Sequence, residues 1–95
     1  MAQVEVEING KKEQGFEIPL PTAPLVGVYS SNGFVMCGYL NLSAAEKLGV
    51  SAAMVKGVKT VDDLLKASIQ GMTKKAEEKG VKIGMTGKEA LSLLS

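Results

Sequence analysis

Histidine, arginine and tryptophan are absent from these 95 residues, and cysteine occurs once. Each absence removes a class of chemistry. Without histidine the chain cannot build a Ser-His or Cys-His dyad from its own residues, nor a histidine-based metal site. With one cysteine and no histidine, a structural zinc site is excluded, so no metal and no cofactor are expected. A single thiol cannot close an internal disulfide and fits a reducing compartment. All eleven basic residues are lysine, set against ten acidic ones for a net charge of +1. Base reading by bidentate arginine is therefore impossible, and the lysine pairs Lys11-Lys12 and Lys74-Lys75 have acidic neighbours at Glu13 and Glu77-Glu78. Nucleic acid is not an expected partner. No apolar run approaches the roughly 18 to 20 residues of a membrane helix. The start, "MAQVEVEING", shows neither a basic region nor an apolar core of a signal peptide. These features predict a cytoplasmic protein with no membrane partner.

What is present describes a single domain, residues 1–95, with 45% apolar residues. A chain this short buries roughly two-thirds of its unfolded surface, and association with further copies is a natural supplement. Val4, Val6 and Ile8 alternate with Gln3, Glu5 and Glu7, the pattern of a strand with one wet face. Asn9-Gly10 signals a turn, and a second strand follows with Phe16, Ile18 and Leu20 in step. A two-residue turn would pair Val4 with Gly15 and leave Phe16 and Ile18 on the face opposite Val4. A bulged, odd-length loop instead puts them on the same side as Val4 and Ala2. The bulged loop is the expectation. Residues 1–20 thus form a hairpin arm, and "PLPTAP" (19–24) makes a stiff connection to an α/β body at 25–95. A tethered arm with one apolar face predicts packing against another subunit.

In the body, "PLVGVY" and "FVMCGYL", joined by "SSNG", form a second hairpin apolar on both faces. From Ser43 onward helix starts dominate. "SAAE", "TVDD" and "TGKE" each place a hydroxyl three residues before a carboxylate, the capping-box spacing. Gly49 and Gly80 suit helix ends. "VSAAMVKGV" is a candidate strand. Val61, Leu64, Leu65 and Ser68 share a helical face, as do Ile69, Met72, Thr73 and Ala76. "VKIG" suggests one more strand before a last helix with Ala90, Leu91 and Leu94 inward. The predicted fold is α+β, a mixed sheet with helices in the order ββββαβααβα.

Two places could hold chemistry. Around Gly84, Thr86, Gly87 and Lys88 the sequence superficially suggests a phosphate loop. A Walker A motif would need glycine at Lys82 and a hydroxyl residue at Glu89, so that reading fails. A small-anion site on the helix-start amides is the surviving version. The second place is Cys37, with Tyr39 beside it on the same strand face. A free cysteine in an apolar strand is usually an inert core residue, and activation would need a group brought in by folding. No carboxylate interrupts an apolar run, so general acid–base chemistry has no clear candidate, and the balance is against an enzyme.

The segments "GFVMCGYL", "GVKTVDDLL" and "GVKIGMTGKEALSLL", in this order, resemble the YunC-like proteins, a family of small bacterial and archaeal domains of unknown function. The likeness spans roughly residues 25–94. It implies an α/β domain whose N-terminal β region serves in forming a tetramer, hence a homo-oligomer. It implies no catalytic residue or substrate. The two functions left standing are a self-associating binding or regulatory module and, as the alternative, a small enzyme or anion-binding protein. The alternative would centre on Cys37 or the Thr86–Lys88 helix start, possibly completed at a subunit boundary.

Overall fold

The first turn decides how the whole sheet faces. In the computed structural model, which describes residues 2–21, 23–38 and 41–94, strand β1 (Ala2–Ile8) returns directly into β2 (Lys11–Ile18). Asn9 and Gly10 both adopt positive φ, 52° and 78°. That is the two-residue type I′ turn, whose twist matches antiparallel strands. Ile8 pairs with Lys11 and Val4 with Gly15. The expected bulged loop is therefore wrong, and Phe16 and Ile18 lie on the face opposite Val4.

The reason is a helix that docks from far along the chain. A Cβ on Gly15 would stand 3.0 Å from Val61 Cγ2, so this position on β2 is kept small where helix α2 (Val61–Lys66) lies against it. Two residues on, a Glu17 carboxylate oxygen accepts the Val61 amide at 2.8 Å, supplying a partner to one of the donors a helix start leaves free. Glu13, an acidic neighbour of Lys11-Lys12 in the sequence, shares this face and is 7% exposed. Phe16, on the other side, lies across β3 (Leu25–Ser30): a Cβ on Gly27 would be 2.6 Å from its ring.

The hairpin is not a free arm. β2 pairs antiparallel with β3 from Gln14–Tyr29 to Ile18–Leu25, and the prolines at 19, 21 and 24 fall in the connection between these neighbouring strands. β4 (Gly33–Met36), β5 (Ala52–Met54) and β6 (Gly71–Met72) complete a six-stranded sheet in sequential order. Only β4 and β5 run parallel, and their crossover contains α1 (Leu42–Leu48). Helices α3 (Lys74–Glu78) and α4 (Gly87–Leu94) follow β6. The order is ββββαβαβαα, an α+β domain with a mixed sheet.

Two elements differ from expectation. The segment 69–76 is not one helix: Gly71–Met72 pairs with β5, and only after the Thr73 cap does α3 begin. The Thr73 hydroxyl accepts from the Ala52 amide at 3.0 Å and from Ala76 at 3.4 Å, and donates to the Val50 carbonyl at 2.8 Å. One buried side chain thereby joins strand, loop and cap, a role helical periodicity does not reveal. "VKIG" forms a turn rather than a strand, with Gly84 at φ 91°. It is tied to the segment before β6 by Ile69 N to Met85 O at 2.7 Å and Gly84 N to Ile69 O at 3.1 Å.

The caps at Thr60 and Thr86 form as expected, accepting from Asp63 N at 3.0 Å and Glu89 N at 3.2 Å. At α1 the cap is Asn41, not Ser43, its Oδ1 accepting from Ala44 N at 3.1 Å. Gly49 ends α1 in the left-handed region, and Gly80 follows the cap of α3 at positive φ. The core lies between one sheet face and the helices. Val26, Val28, Val35, Ala53 and Val55 meet Val61 and Leu64 of α2 and Ala90, Leu91 and Leu94 of α4, and all are buried. Fully burying side chains of this size stabilises by roughly 1.5–3 kcal/mol each, which fixes the helices on this face.

Candidate functional site

Alternation along a strand sends successive side chains to opposite faces, so the buried valines of β3 and β4 imply a second face. On it lie Phe16 and Ile18 of β2, Leu25 and Tyr29 of β3, and Phe34 and Met36 of β4, in register with one another. Tyr29 is 48% exposed and the others are half-buried. Toward the far edge, Leu42 of α1 closes over Gly71, where a Cβ would meet Leu42 Cδ1 at 2.7 Å. Over β2 to β4 the face is open. The sequence shows that both sides of this hairpin are apolar. The bulged-loop expectation hid its extension onto β2, because it turned Phe16 and Ile18 inward.

Cys37 sits just beyond β4 at the edge of the core and is 4% exposed. Its sulfur accepts from Val26 N at 3.4 Å and reaches the Pro24 carbonyl at 4.0 Å. It also lines a pocket of about 240 Å³ together with Pro24, Gly38, Lys56 and Val58. The stem of Lys56 passes Gly38, 3.8 Å from where a Cβ would stand. Folding thus brings a lysine to the pocket of the thiol, a neighbour that the sequence around Cys37 does not contain. Tyr39, paired with it in the sequence expectation, lies outside the described residues.

The helix start at Thr86 offers little to an anion. Thr86 N donates to Glu89 Oε1 at 3.0 Å, Gly87 N to Ala67 O at 2.9 Å, and Gly84 N to Ile69 O at 3.1 Å. The Glu89 carboxylate occupies the place an anion would take, and the backbone amide and hydroxyl of Thr86 hold its pKa below the ordinary value. Gly87 is buried against α2, with no room for a ligand: a Cβ there would lie 2.1 Å from the Leu64 carbonyl oxygen. Lys88 is exposed beside these occupied groups. The expected anion site loses its donors to the fold's own capping.

An open apolar sheet face backed by short capped helices defines a small α+β domain without a recognisable catalytic constellation among the described residues. The chain belongs to the family described as Domain of unknown function (DUF1805), whose model matches residues 36–94, more than half of its length. It is similar to the uncharacterized protein YunC of Bacillus subtilis (strain 168), with 37% identity over 90 residues, covering 90% of this chain and 89% of that protein. Its fold matches the crystal structure of a protein of unknown function, TA1206 from Thermoplasma acidophilum, with a TM-score of 0.94 and 36% identity over 99% of this chain and 92% of the other. The resemblance seen in the sequence is thereby shown, and the relatives' descriptions assign no specific function.

Proposed function

We propose that this protein is a non-enzymatic, self-associating domain, a binding or regulatory module whose copies meet through the open face of the sheet. One observation carries the reading: of the four aromatic residues in the chain, Phe16, Tyr29 and Phe34 all lie on the sheet face opposite α2 and α4. Met36 and Met54 extend the same face. Aromatic residues and methionine are the types enriched in protein interfaces, while a solvated antiparallel face is ordinarily polar. The wet half of this same face, at Glu5, Lys12 and Gln14, shows that ordinary case. The partner is another copy of the chain, in the tetramer that the family resemblance implies, rather than nucleic acid or a membrane. The free thiol supports a cytoplasmic setting, and no described helix is long and apolar enough to cross a membrane.

Light scattering coupled to size exclusion tests this. The full chain is expected to run as a discrete oligomer, and Met36→Lys to shift it to monomer while retaining the native circular dichroism spectrum. A wild-type monomer at micromolar concentration overturns the proposal.

A second reading, a small enzyme using Cys37, draws on the pocket that the thiol shares with Lys56. It requires that Cys37 in the native protein react with a small alkylating reagent in minutes and that Lys56→Met slow this. Reaction only after unfolding removes the nucleophile.

A further inference from the structure

At the end of the sheet, the turn between β3 and β4, the loop from α1 into β5, and α3 enclose a cleft of about 630 Å³. This is the size of a small-molecule site and far more than a bare ion fills. Lys75 of α3 and Lys79 at its cap both line it. Four residues apart, they stand on one side of the helix. Neither forms an ion pair: among the described residues the salt bridges are Lys12–Glu5 and Lys66–Asp62. The Lys79 ammonium donates to the Asn32 carbonyl at 2.9 Å, which holds it at the turn. The Lys75 ammonium lies against Gly49, 3.5 Å from where a Cβ would stand. Two cations of one wall, α3, therefore reach toward the two facing segments of the cleft, the β3–β4 turn and the loop after α1.

A second, independent feature lies between them. Ser51 lines the cleft and is 6% exposed, yet its hydroxyl makes no hydrogen bond among the described residues. Its backbone carbonyl is used, accepting from Phe34 N at 3.1 Å, so the residue is fixed in place. The other buried hydroxyl, Thr73, is satisfied within the chain. Among the described residues no buried polar side-chain atom lacks a partner, so the Ser51 hydroxyl keeps contact with solvent, and as a lining residue of the cleft it is free to bond a ligand there.

We propose that this cleft binds a small metabolite carrying a phosphate group, with Lys75 and Lys79 neutralising the dianion and the Ser51 hydroxyl donating to one of its oxygens. A phosphate monoester brings nearly two negative charges and three acceptor oxygens, matching two ammonium groups and a hydroxyl. A carboxylate has only two oxygens for these three donors, and the Glu78 carboxylate on the same lining makes the count of acceptor oxygens, not charge alone, the ground for preferring phosphate. Phe34 and Val50 supply an apolar wall for the carbon skeleton, and Glu78 and Ser31 can accept from its hydroxyls. The site is separate from the interface proposed above, with Phe34 bordering both.

The test is a titration of the full chain, followed through its backbone amide NMR signals at constant ionic strength, with glycerol 3-phosphate as probe. Saturable shifts centred on Gly33, Gly49 and Ser51 are expected, with none from glycerol. Lys75→Gln and Lys79→Gln should each weaken binding about tenfold, the loss of one charge-assisted contact. Ser51→Ala should weaken it severalfold, and Lys88→Gln should leave it unchanged. Lys75→Gln removes an exposed side chain with no other partner, so its fold is secure. The proposal falls if the shifts do not saturate, if they centre elsewhere, if glycerate binds equally tightly, or if Lys88→Gln weakens binding as much as Lys75→Gln.

Discussion

Two faces of one sheet, built from alternate residues of the same strands, have opposite chemistry. Toward the helices stand valines, an alanine and a glycine, packed so closely that Val26, Val28 and Val35 retain no exposure. Away from them stand Phe16, Tyr29, Phe34 and Met36, larger side chains that the chain itself leaves partly uncovered. Size and coverage would ordinarily run together, since the largest apolar groups gain most from burial. Here the helices approach through small contacts, and the large groups are left for something else. The covered face makes the domain, and the open face is the surface proposed for its assembly.

The sharpest way to break the covered face is Gly87→Ala. Its methyl group would need to occupy space 2.1 Å from the Leu64 carbonyl oxygen, in backbone that cannot yield as a side chain would. Separating α4 from α2 to relieve this should cost about 3 kcal/mol, at the upper end of ordinary overpacking, measured by urea denaturation. Adjacent residues of β3 then compare the faces directly. Val28→Ala should lower stability by about 2 kcal/mol through a cavity among the helices, with the oligomeric state retained. Tyr29→Ala should cost well under about 1 kcal/mol in the isolated domain, yet raise the concentration at which oligomers dissociate. If both variants changed stability alike, the distinction between the faces would be lost.

The parts of this arrangement governed by near neighbours were legible in the sequence. Alternation at Val4, Val6 and Ile8 marked β1, and hydroxyl-to-carboxylate spacing marked the starts of α2 and α4. The sites of error were governed at a distance. Whether Phe16 faces in or out is settled by Val61 packing on Gly15 and by Glu17 holding the Val61 amide, 44 residues away. Thr73 serves a strand, a loop and a cap at once, so a stretch that passes from β6 into α3 mimicked the spacing of one continuous helix. The core position of Cys37 followed from its apolar setting, whereas the lysine in its pocket came with the fold. The lysines that line the cleft with Ser51 were hidden for the same reason, because α3 brings them to a loop more than twenty residues earlier.

The smallest effect concerns neither face but the cap that holds α4 onto one of them. Hydrogen bonds from the Thr86 amide, and then from its hydroxyl, lower the pKa of Glu89 in the folded protein below its ordinary 4.5. The unfolded chain therefore binds this proton more readily than the folded one. The cap's electrostatic contribution is complete above the unfolded pKa and is lost as pH falls through the folded value. Because Glu89 is fully exposed, solvent screens the effect and the change is small. Denaturation curves between about pH 6 and pH 3 should show Glu89→Gln losing less stability on acidification than the parent, the two converging at the acid end. α4 covers the helix side alone, so the dissociation constant of the assembly should show no matching difference between the two proteins over that range. A matching difference would mean that the two faces are not independent, and that closure of the core by α4 also shapes the surface on which copies are proposed to meet.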